Sequence, residues 1–153
     1  MKYSLDTSSA VEPWQRRYPP DVFPTLWNTH LPALIAGGDL RASEEVHQEL
    51  LRQDDDVLAW AEAQADFFVE LDGPVQAAVT AMLAAFQALV DIRSGRSAAD
   101  PFVIALAEVN GATVVTEELP KPTKPRIPDV CASLGVPCIN MLELIRTEGW
   151  QFA

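Results

Sequence analysis

The chain has 153 residues, 48% of them hydrophobic, so it is long enough to bury a core and too apolar to be disordered throughout. Its 22 acidic and 11 basic residues give a formal net charge of −11, which argues against a protein that simply coats nucleic acid or an anionic membrane. That charge is compatible with an acidic pocket neutralised by a divalent cation. The length favours a single domain.

Neither the cysteines nor the apolar stretches indicate a secreted or membrane protein. Cys131 and Cys138 lack the histidine or further cysteine neighbours of a zinc site, so two reduced thiols in or near the core are expected. The N-terminus carries an early acid and lacks a long apolar core, so no targeting segment is predicted. Residues 75–90 are too short to span a bilayer. The prediction is a cytoplasmic protein with no membrane partner.

The N-terminal part of the chain is predicted to contain a strand, a proline-rich connection and a helix. Residues 2–5 alternate weakly, which is typical of a strand. The prolines in residues 11–24 predict a loop or a broken helix start, because proline lacks a donor and restricts its predecessor. A helix is expected over residues 25–36, and residues 39–42 are either a short strand or a connector.

Asp6 stands at the end of the first predicted strand and precedes three hydroxyl side chains, Thr7, Ser8 and Ser9. Such side chains cap helices or bind the local backbone, which makes Asp6 a cap or turn residue in one interpretation. In the other interpretation Asp6 is a metal ligand at the carboxyl end of a strand. The residue alone leaves both interpretations open.

Two acidic segments precede predicted helices in the middle of the chain. Ser43 and the two glutamates after it fit a capped helix start, because an N-terminal serine and early acids suit the helix dipole. Glu45 and Glu49 share one face of that helix, and Glu49 lies near its buried edge. The aspartates at 54–56 are interpreted as the start of a helix over residues 57–69, with a metal site as the less favoured alternative.

A long helix and a polar linker are predicted next. The helix covers residues 75–92, and the linker covers residues 93–99. The linker contains Arg93 and Arg96, which are interpreted as solvated loop residues, with phosphate contacts as the alternative.

The pattern in residues 98–118 predicts a helix, a turn and a buried strand. Asp100 begins the helix, and apolar side chains recur along it at spacings of three and four. They are Phe102, Val103, Ala105, Leu106 and Val109. An asparagine and a glycine end the helix, because both tolerate positive φ. Residues 112–116 form a short apolar strand of the kind buried in parallel sheets, and Glu117 and Glu118 follow it.

The C-terminal part begins with the most basic segment of the chain. Residues 119–128 contain four prolines and three cations, and are interpreted either as a solvated loop or as a mobile edge that touches an anionic substrate. Residues 129–134 and 141–146 are predicted helices. Residues 136–139 form a final strand in this prediction, with Asn140 at its end.

The alternation of strands and helices predicts an α/β fold, a small parallel sheet with helices on both faces. Ligands of such sheets bind just beyond the carboxyl ends of the strands. Asp6, Glu118 and Asn140 would then end strands on the same rim, and Asp100 and Glu49 could join them from helices.

Four short motifs resemble, in order, those of PIN-domain nucleases. They are YSLDTSS from residue 3, SEEVHQEL from residue 43, ADPFVIALA from residue 99 and VVTEE from residue 114. These match an aspartate after the first strand, a helical glutamate before an aliphatic residue, an aspartate leading an Ala-rich helix, and a Thr-x-Asp after a strand. The stretches YPPDVFP and KPRIPDVC resemble a PIN-like branch allied to the toxins of bacterial toxin–antitoxin pairs.

The resemblance implies a three-layer α/β/α domain with an acidic cluster formed by Asp6, Glu49, Asp100 and Glu118. The cluster would hold Mg²⁺ or Mn²⁺, because these hard cations take oxygen ligands and stabilise the charge that develops on a transferring phosphoryl group. Two rivals stay open, Glu117 for Glu118 and Glu45 for Glu49, and the fourth motif carries glutamate where the family mostly has aspartate. Thr7, Ser8 or Thr116 would orient a ligand or touch the substrate phosphate.

The implied activity is that of a metal-dependent endoribonuclease, the toxin of a toxin–antitoxin pair. Its implied partners are an RNA substrate, a cognate antitoxin that blocks the rim, and a second copy in a homodimer. The alternative is a catalytically degenerate PIN-like binding module, which the strong negative charge favours. The RNA target, the cleavage of DNA and the number of metal ions stay open.

Overall fold

The computed structural model describes residues 1–86, 98–121 and 123–152, and a parallel sheet lies at the centre of this part of the chain. Its strands are Tyr3–Leu5 (β1), Leu40–Ser43 (β2), Phe68–Val69 (β3), Thr113–Val115 (β4) and Cys138–Ile139 (β5). The strand order is β3-β2-β1-β4-β5, and every neighbouring pair is parallel. The predicted fold class, a three-layer α/β/α arrangement around a small parallel sheet, is confirmed.

Helices connect the strands and cover the sheet. Two π-helical turns, Pro13–Arg17 and Leu26–His30, accompany the α-helices. The α-helices of the described chain are Thr7–Glu12 (α1), Leu31–Ala36 (α2), Glu44–Gln53 (α3), Asp55–Glu62 (α4), Gly73–Ala85 (α5), Asp100–Asn110 (α6), Ile127–Leu134 (α7) and Met141–Thr147 (α8). In this part of the chain, no helix combines the length and the apolar character that crossing a membrane requires.

The central strand β1 is buried on both faces. Tyr3 and Leu5 belong to the core, and the polar Ser4 is accommodated because its hydroxyl donates to the Val103 carbonyl at 2.8 Å. On one side β1 pairs with β2, and on the other Leu5 pairs with Val115 of β4. This burial is what a parallel sheet with both faces covered requires.

Helix α6 has the predicted bounds. It runs from Asp100 to Asn110 and ends at Gly111, which adopts the left-handed conformation with φ 62°. The predicted apolar face is wrong at Val109, which is exposed. The helix packs against β1, β2 and β4 and also against α5, so a broad continuous face over residues 103–107 is buried rather than one narrow stripe.

Residues 11–24 are predicted as a loop or a broken helix start, and the loop alternative is wrong over residues 11–17, which continue the helix that begins at Thr7. Proline removes a backbone donor, but here the hydrogen-bond ladder widens into a π-helical turn and the Tyr18 amide donates to the Pro13 carbonyl at 2.7 Å. The chain therefore remains helical as far as Arg17. The predicted helix over residues 25–36 is confirmed by the second π-helical turn and α2.

The predicted helix over residues 57–69 is also wrong in its second half. Helix α4 ends at Glu62, Asp66 has a φ of 60°, and the chain then enters β3. The start was interpreted correctly, because the Asp54 carboxylate accepts hydrogen bonds from the amides of Asp56 and Val57. Ser43 stands at the N-cap of α3 as predicted, yet its buried hydroxyl finds no hydrogen-bond partner within the described chain.

The remaining elements follow the predictions in outline. Residues 39–42 are predicted to form a short strand or a connector, and a strand is present there as β2. Helix α5 covers the first part of the helix expected over residues 75–92. The rest of that helix and the two arginines of the predicted linker, Arg93 and Arg96, lie outside the described residues. Helices α7 and α8 and strand β5 are present. Both cysteines are free thiols, one buried and one partly buried.

His47 joins three elements on one side of the sheet. Its Nδ1 lies 2.9 Å from the Glu44 carboxylate and its Nε2 lies 2.9 Å from the Glu62 carboxylate. The ring also stacks on Phe68 of β3 at a centroid separation of 4.5 Å. The hydrogen bond to Glu62 raises the pKa of His47, and the bond to Glu44 acts in the same direction, while partial burial opposes both.

We predict that this bridge makes stability pH-dependent above the ordinary histidine pKa of about 6.5. Because the pKa of His47 is higher in the folded protein, its contribution is complete below the unfolded pKa and is lost as pH rises through the folded pKa. The partners are partly exposed, so the contribution should be about 1 kcal/mol or less. Urea denaturation should show a smaller decline with rising pH in His47→Gln than in wild type.

The second histidine of the chain supplies the matched control. His30 stacks on Trp150 and makes no ion pair in the described chain, so His30→Gln should retain the pH dependence of the wild type. An unchanged slope in His47→Gln, or an equal loss of slope in His30→Gln, would show that the bridge is not responsible.

Candidate active site

The site begins with the register between β1 and β4. Leu5 pairs with Val115, and the Asp6 amide donates to the Val115 carbonyl at 2.9 Å, so Asp6 and Thr116 leave the sheet side by side at its carboxyl edge. Asp6 is only 3% exposed. Its Oδ2 accepts hydrogen bonds from the hydroxyls of Ser8 at 2.5 Å and Thr116 at 2.8 Å. These two hydroxyls hold the Asp6 carboxylate in one orientation.

The predicted acids converge on a cavity of about 330 Å³ in front of Asp6. Asp100 reaches it from the first turn of α6 and is 4% exposed. The polar residues that line the cavity are Asp6, Thr7, Ser8, Glu12, Glu49, Gln53, Asp100 and Glu118. Side chains from two strand ends and three helices therefore line one acidic cavity. Four of its acids, Asp6, Glu49, Asp100 and Glu118, are those that the sequence predicts to converge.

Glu49 lines the cavity and Glu45 does not. Glu49 extends from α3 toward two other elements, because its Oε2 accepts from the Thr7 hydroxyl at 2.6 Å and its Oε1 accepts from the Ala99 amide at 3.0 Å. The same carboxylate thus connects α3 to the starts of α1 and α6. Of the two candidates left open by the sequence, Glu49 has the position that the acidic cluster requires.

Glu117 and Glu118 follow β4, and their side chains point to opposite sides of the sheet edge, because successive residues of an extended chain face in opposite directions. Glu118 lines the acidic cavity, and its Oε2 accepts from the Ile127 amide at 3.2 Å. Glu117 faces away: its side chain is 1% exposed, accepts from the Met141 amide at 2.8 Å and pairs with Arg17 at 3.1 Å. Glu117 therefore has a structural position, joining α8 to the first helical segment.

The hydroxyl groups predicted to support the site all make hydrogen bonds to its carboxylates. Thr7 donates to Glu49, while Ser8 and Thr116 donate to Asp6. Two acids are also linked through Thr116, whose hydroxyl accepts from the Glu118 amide at 3.1 Å. These hydrogen bonds restrain the carboxylates of Asp6 and Glu49.

The crowding of acids has an electrostatic consequence for Asp6. Burial raises the pKa of Asp6 to about 6, and the nearby charges of Glu118 and Glu49 act in the same direction, while the hydrogen bonds from Ser8 and Thr116 oppose them. The negative charge on Asp6 is therefore unfavourable in the protein alone. A cation in the cavity would relieve this repulsion.

The chemistry of the cavity suits a hard divalent cation, because all of its charged donors are carboxylate oxygens. In the side-chain positions seen, no three His, Cys, Asp or Glu side chains of residues 1–86, 98–121 and 123–152 are already grouped to hold an ion. One Glu49 oxygen accepts a hydrogen bond from the Thr7 hydroxyl, and the other accepts one from the Ala99 amide. Asp6, Asp100, Glu49 and Glu118 are the residues that would hold the ion after their carboxylates turn toward it.

Sequence reasoning missed Glu12 and Gln53 as lining residues. Glu12 lies four positions after Ser8, and Gln53 lies four positions after Glu49, so each shares a helix face with a residue already identified. The signal for Gln53 was present in the predicted helix. The signal for Glu12 was lost because the prolines that follow predicted a loop there.

The fold and the cavity define an α/β protein with a carboxylate-lined site at the carboxyl edge of a parallel sheet. Comparison with family models adds one finding. The chain belongs to the family described as a domain of unknown function, DUF4411, whose model matches residues 3–152. No curated protein matches the chain.

We predict that Asp6→Asn stabilises the protein at neutral pH in the presence of a chelator. A carboxyl whose pKa is raised from 3.8 to about 6 binds its proton more tightly when folded, so wild-type stability should fall as pH rises between these values. Each pKa unit corresponds to about 1.4 kcal/mol, so Asp6 should lower the free energy of unfolding by at most about 3 kcal/mol over this pH range. Urea denaturation across this pH range measures it.

Asp21→Asn is the control for that experiment, because Asp21 is exposed and does not line the cavity. The free energy of unfolding of this variant should depend on pH as that of the wild type does. An Asp6→Asn protein that is no more stable than wild type above pH 6 would contradict the unfavourable charge assigned to Asp6.

Proposed function

We propose that the protein is a metal-dependent ribonuclease that hydrolyses phosphodiester bonds in RNA, and that Asp6, Glu49, Asp100 and Glu118 hold Mg²⁺ or Mn²⁺. The observation that carries the proposal is the convergence of these four acids, which are far apart in sequence, on one cavity at the carboxyl edge of the sheet. The order of their motifs, which resembles that of PIN-domain nucleases, supports the same assignment.

The chemistry explains why acids are required in a site that acts on an anion. Hydrolysis develops negative charge on the transferring phosphoryl group, which carboxylates cannot stabilise directly. A bound divalent cation supplies the compensating charge and a stronger nucleophile at neutral pH. Asp6 and Asp100, both buried, are the main ligands in this proposal, and the partly exposed Glu49 and Glu118 complete the site.

Ser8 and Thr116 have a positioning role in the proposal. Their hydroxyls both donate to Asp6 Oδ2, and no residue of the described chain donates a hydrogen bond to the other oxygen, Oδ1, which could bind an ion. Thr7 restrains Glu49 in the same way through a hydrogen bond of 2.6 Å. The toxin role extends the proposal on the resemblance alone, and its cognate antitoxin would act by covering the rim that bears Asp6 and Glu118.

A binding module without catalysis is the second candidate, and the contacts of Glu49 favour it. Both oxygens of this carboxylate already stabilise the fold through Thr7 and Ala99, and the net charge of −11 opposes the approach of RNA. In that case the acids would connect helices rather than hold an ion.

A cleavage assay on tRNA, mRNA and single-stranded DNA with Mn²⁺ separates the two candidates. We expect cleavage of RNA by wild type and a loss of about 100-fold or more in Asp100→Asn and Glu49→Gln, because each removes charge that holds the ion. Glu45→Gln is the matched control on α3, since Glu45 lies one turn from Glu49 and does not line the cavity.

Metal binding gives a second readout of the same proposal. An ion that binds only the folded protein stabilises it by about 2.7 kcal/mol at 100 times its dissociation constant, so Mn²⁺ should raise the melting temperature of wild type more than that of Asp100→Asn. Absence of cleavage together with an unchanged melting temperature would favour the binding module. Equal cleavage by wild type and Asp100→Asn would contradict the assigned site.

A further inference from the structure

A second cavity, of about 400 Å³, lies beside the acidic one and shares a wall with it. Glu118 lines both cavities, and Thr116, which lines the second, donates its hydroxyl to Asp6 in the first. The second cavity is bounded by the end of β4, the basic segment that follows it, α7 and the start of α8. Its volume falls in the range of about 300–1,000 Å³ typical of small-molecule sites.

Apolar and polar side chains both line the second cavity. Among the apolar residues, Leu119 and Pro120 come from the basic segment, Val136 precedes β5 and Ile139 belongs to β5. A lining of this mixed character suits a partly apolar ring with polar edges, and the bases of unpaired nucleotides are recognised by contact on their faces and hydrogen bonds at their edges.

Asn140 and Glu143, at the start of α8, restrain each other through hydrogen bonds and also line the second cavity. The Asn140 side-chain oxygen accepts from the Glu143 amide at 2.9 Å, and the Glu143 Oε2 accepts from the Asn140 amide at 2.8 Å. These reciprocal bonds fix both side chains while leaving the Asn140 amide group and the second Glu143 oxygen unused within the described chain. A donor and an acceptor thus line one cavity, as an edge of a nucleobase requires.

Arg17 contributes a positive charge to the lining of the cavity, which also includes Glu117, Glu118 and Glu143. One guanidinium nitrogen pairs with the buried Glu117 at 3.1 Å, yet the Arg17 side chain remains 55% exposed. The guanidinium is therefore anchored on one side, and its other N–H groups can donate to a phosphate.

We propose that the second cavity binds the base of the nucleotide next to the scissile phosphodiester, with Arg17 on that nucleotide's phosphate. This inference rests on the proposed function and specifies its substrate class. A base enters such a slot only when it is unpaired, so the substrate is single-stranded or looped RNA rather than a duplex. Glu118, shared by both cavities, marks the boundary between the phosphate that reacts and the base that is held.

Filling the cavity without touching the acids tests the proposal. Ala132 is exposed on α7 and lines the cavity, whereas the adjacent Ser133 is exposed and does not. Ala132→Trp should weaken the binding of a fluorescent ten-nucleotide single-stranded RNA, measured by anisotropy with a chelator present, by about tenfold or more. Ser133→Trp, which places the same side chain one position along the helix, should bind as wild type does.

The probe supplies a second control. An oligomer of the same length that lacks its bases should bind wild type about tenfold more weakly than the RNA, and Ala132→Trp should bind both oligomers equally. Equal binding of the two oligomers by wild type, no measurable binding of RNA, or equal affinities in Ala132→Trp and Ser133→Trp would each overturn the base-binding slot.

The role of Arg17 is tested through salt dependence. Removing one contact to a single-stranded phosphate should reduce the slope of log affinity against log salt concentration by about 0.7. Arg17→Ala should show this change, and Arg16→Ala, an exposed neighbour that does not line the cavity, should not. Urea denaturation of both variants checks that they fold, and an unchanged slope in a folded Arg17→Ala protein would overturn the phosphate contact.

Failure of this inference and failure of the proposed function give different results. If Mn²⁺-dependent cleavage is lost in Asp100→Asn but is equal in Ala132→Trp and Ser133→Trp, the nuclease stands and the slot is overturned. If RNA binding depends on Ala132 but no cleavage occurs with Mn²⁺, the slot stands and the protein is a binding module.

Discussion

The candidate site depends on the pairing of β1 with β4. The hydrogen bond from the Asp6 amide to the Val115 carbonyl places Asp6 directly beside Thr116, and the Thr116 hydroxyl then orients the Asp6 carboxylate. A shift of one residue in this register would turn Thr116 away from Asp6 and exchange the positions of Glu117 and Glu118. The pairing of β1 with β4 therefore decides that Glu118, and not Glu117, faces the acidic cavity. Glu118 is also the acid that lines both cavities.

Two buried carboxylates at the same edge of the sheet, Glu117 and Asp6, differ in how their negative charge is compensated. Glu117 is compensated, because it accepts from the Met141 amide and pairs with Arg17, so its charge serves the packing of helices on the sheet. Asp6 is surrounded by hydroxyls and further acids, and within the described chain no basic side chain pairs with it. A buried charge without a cation lowers stability and persists where another requirement keeps it there, which is the physical reason for assigning Asp6 to a site.

Much of the fold could be predicted from local patterns, and the exceptions have physical causes. The helix and strand on either side of Gly111 were predictable because apolar spacing and a left-handed residue act locally. Strand β3 was not, since two residues become a strand only by pairing with β2. The prolines of residues 11–24 predicted a loop or a broken helix start, whereas the chain stays helical through Pro13 because the local effect of proline is absorbed by a π-helical turn. Sequence spacing identified Asp6 and Asp100 but could not choose between adjacent glutamates, because that choice depends on which way the chain faces after β4.

The net charge of −11 limits where an anionic polymer can approach, but it does not exclude one. At physiological ionic strength exposed charges are screened over about 8 Å, so the potential at the sheet edge is set by the groups nearby. Those groups include four acids, which a cation would compensate, and Arg17, whose guanidinium stays half exposed while paired with Glu117. An RNA strand that lies across Glu118 would meet the ion on one side and Arg17 on the other. The acidic surface elsewhere would then disfavour longer contacts, so that recognition is confined to the few nucleotides that reach this edge.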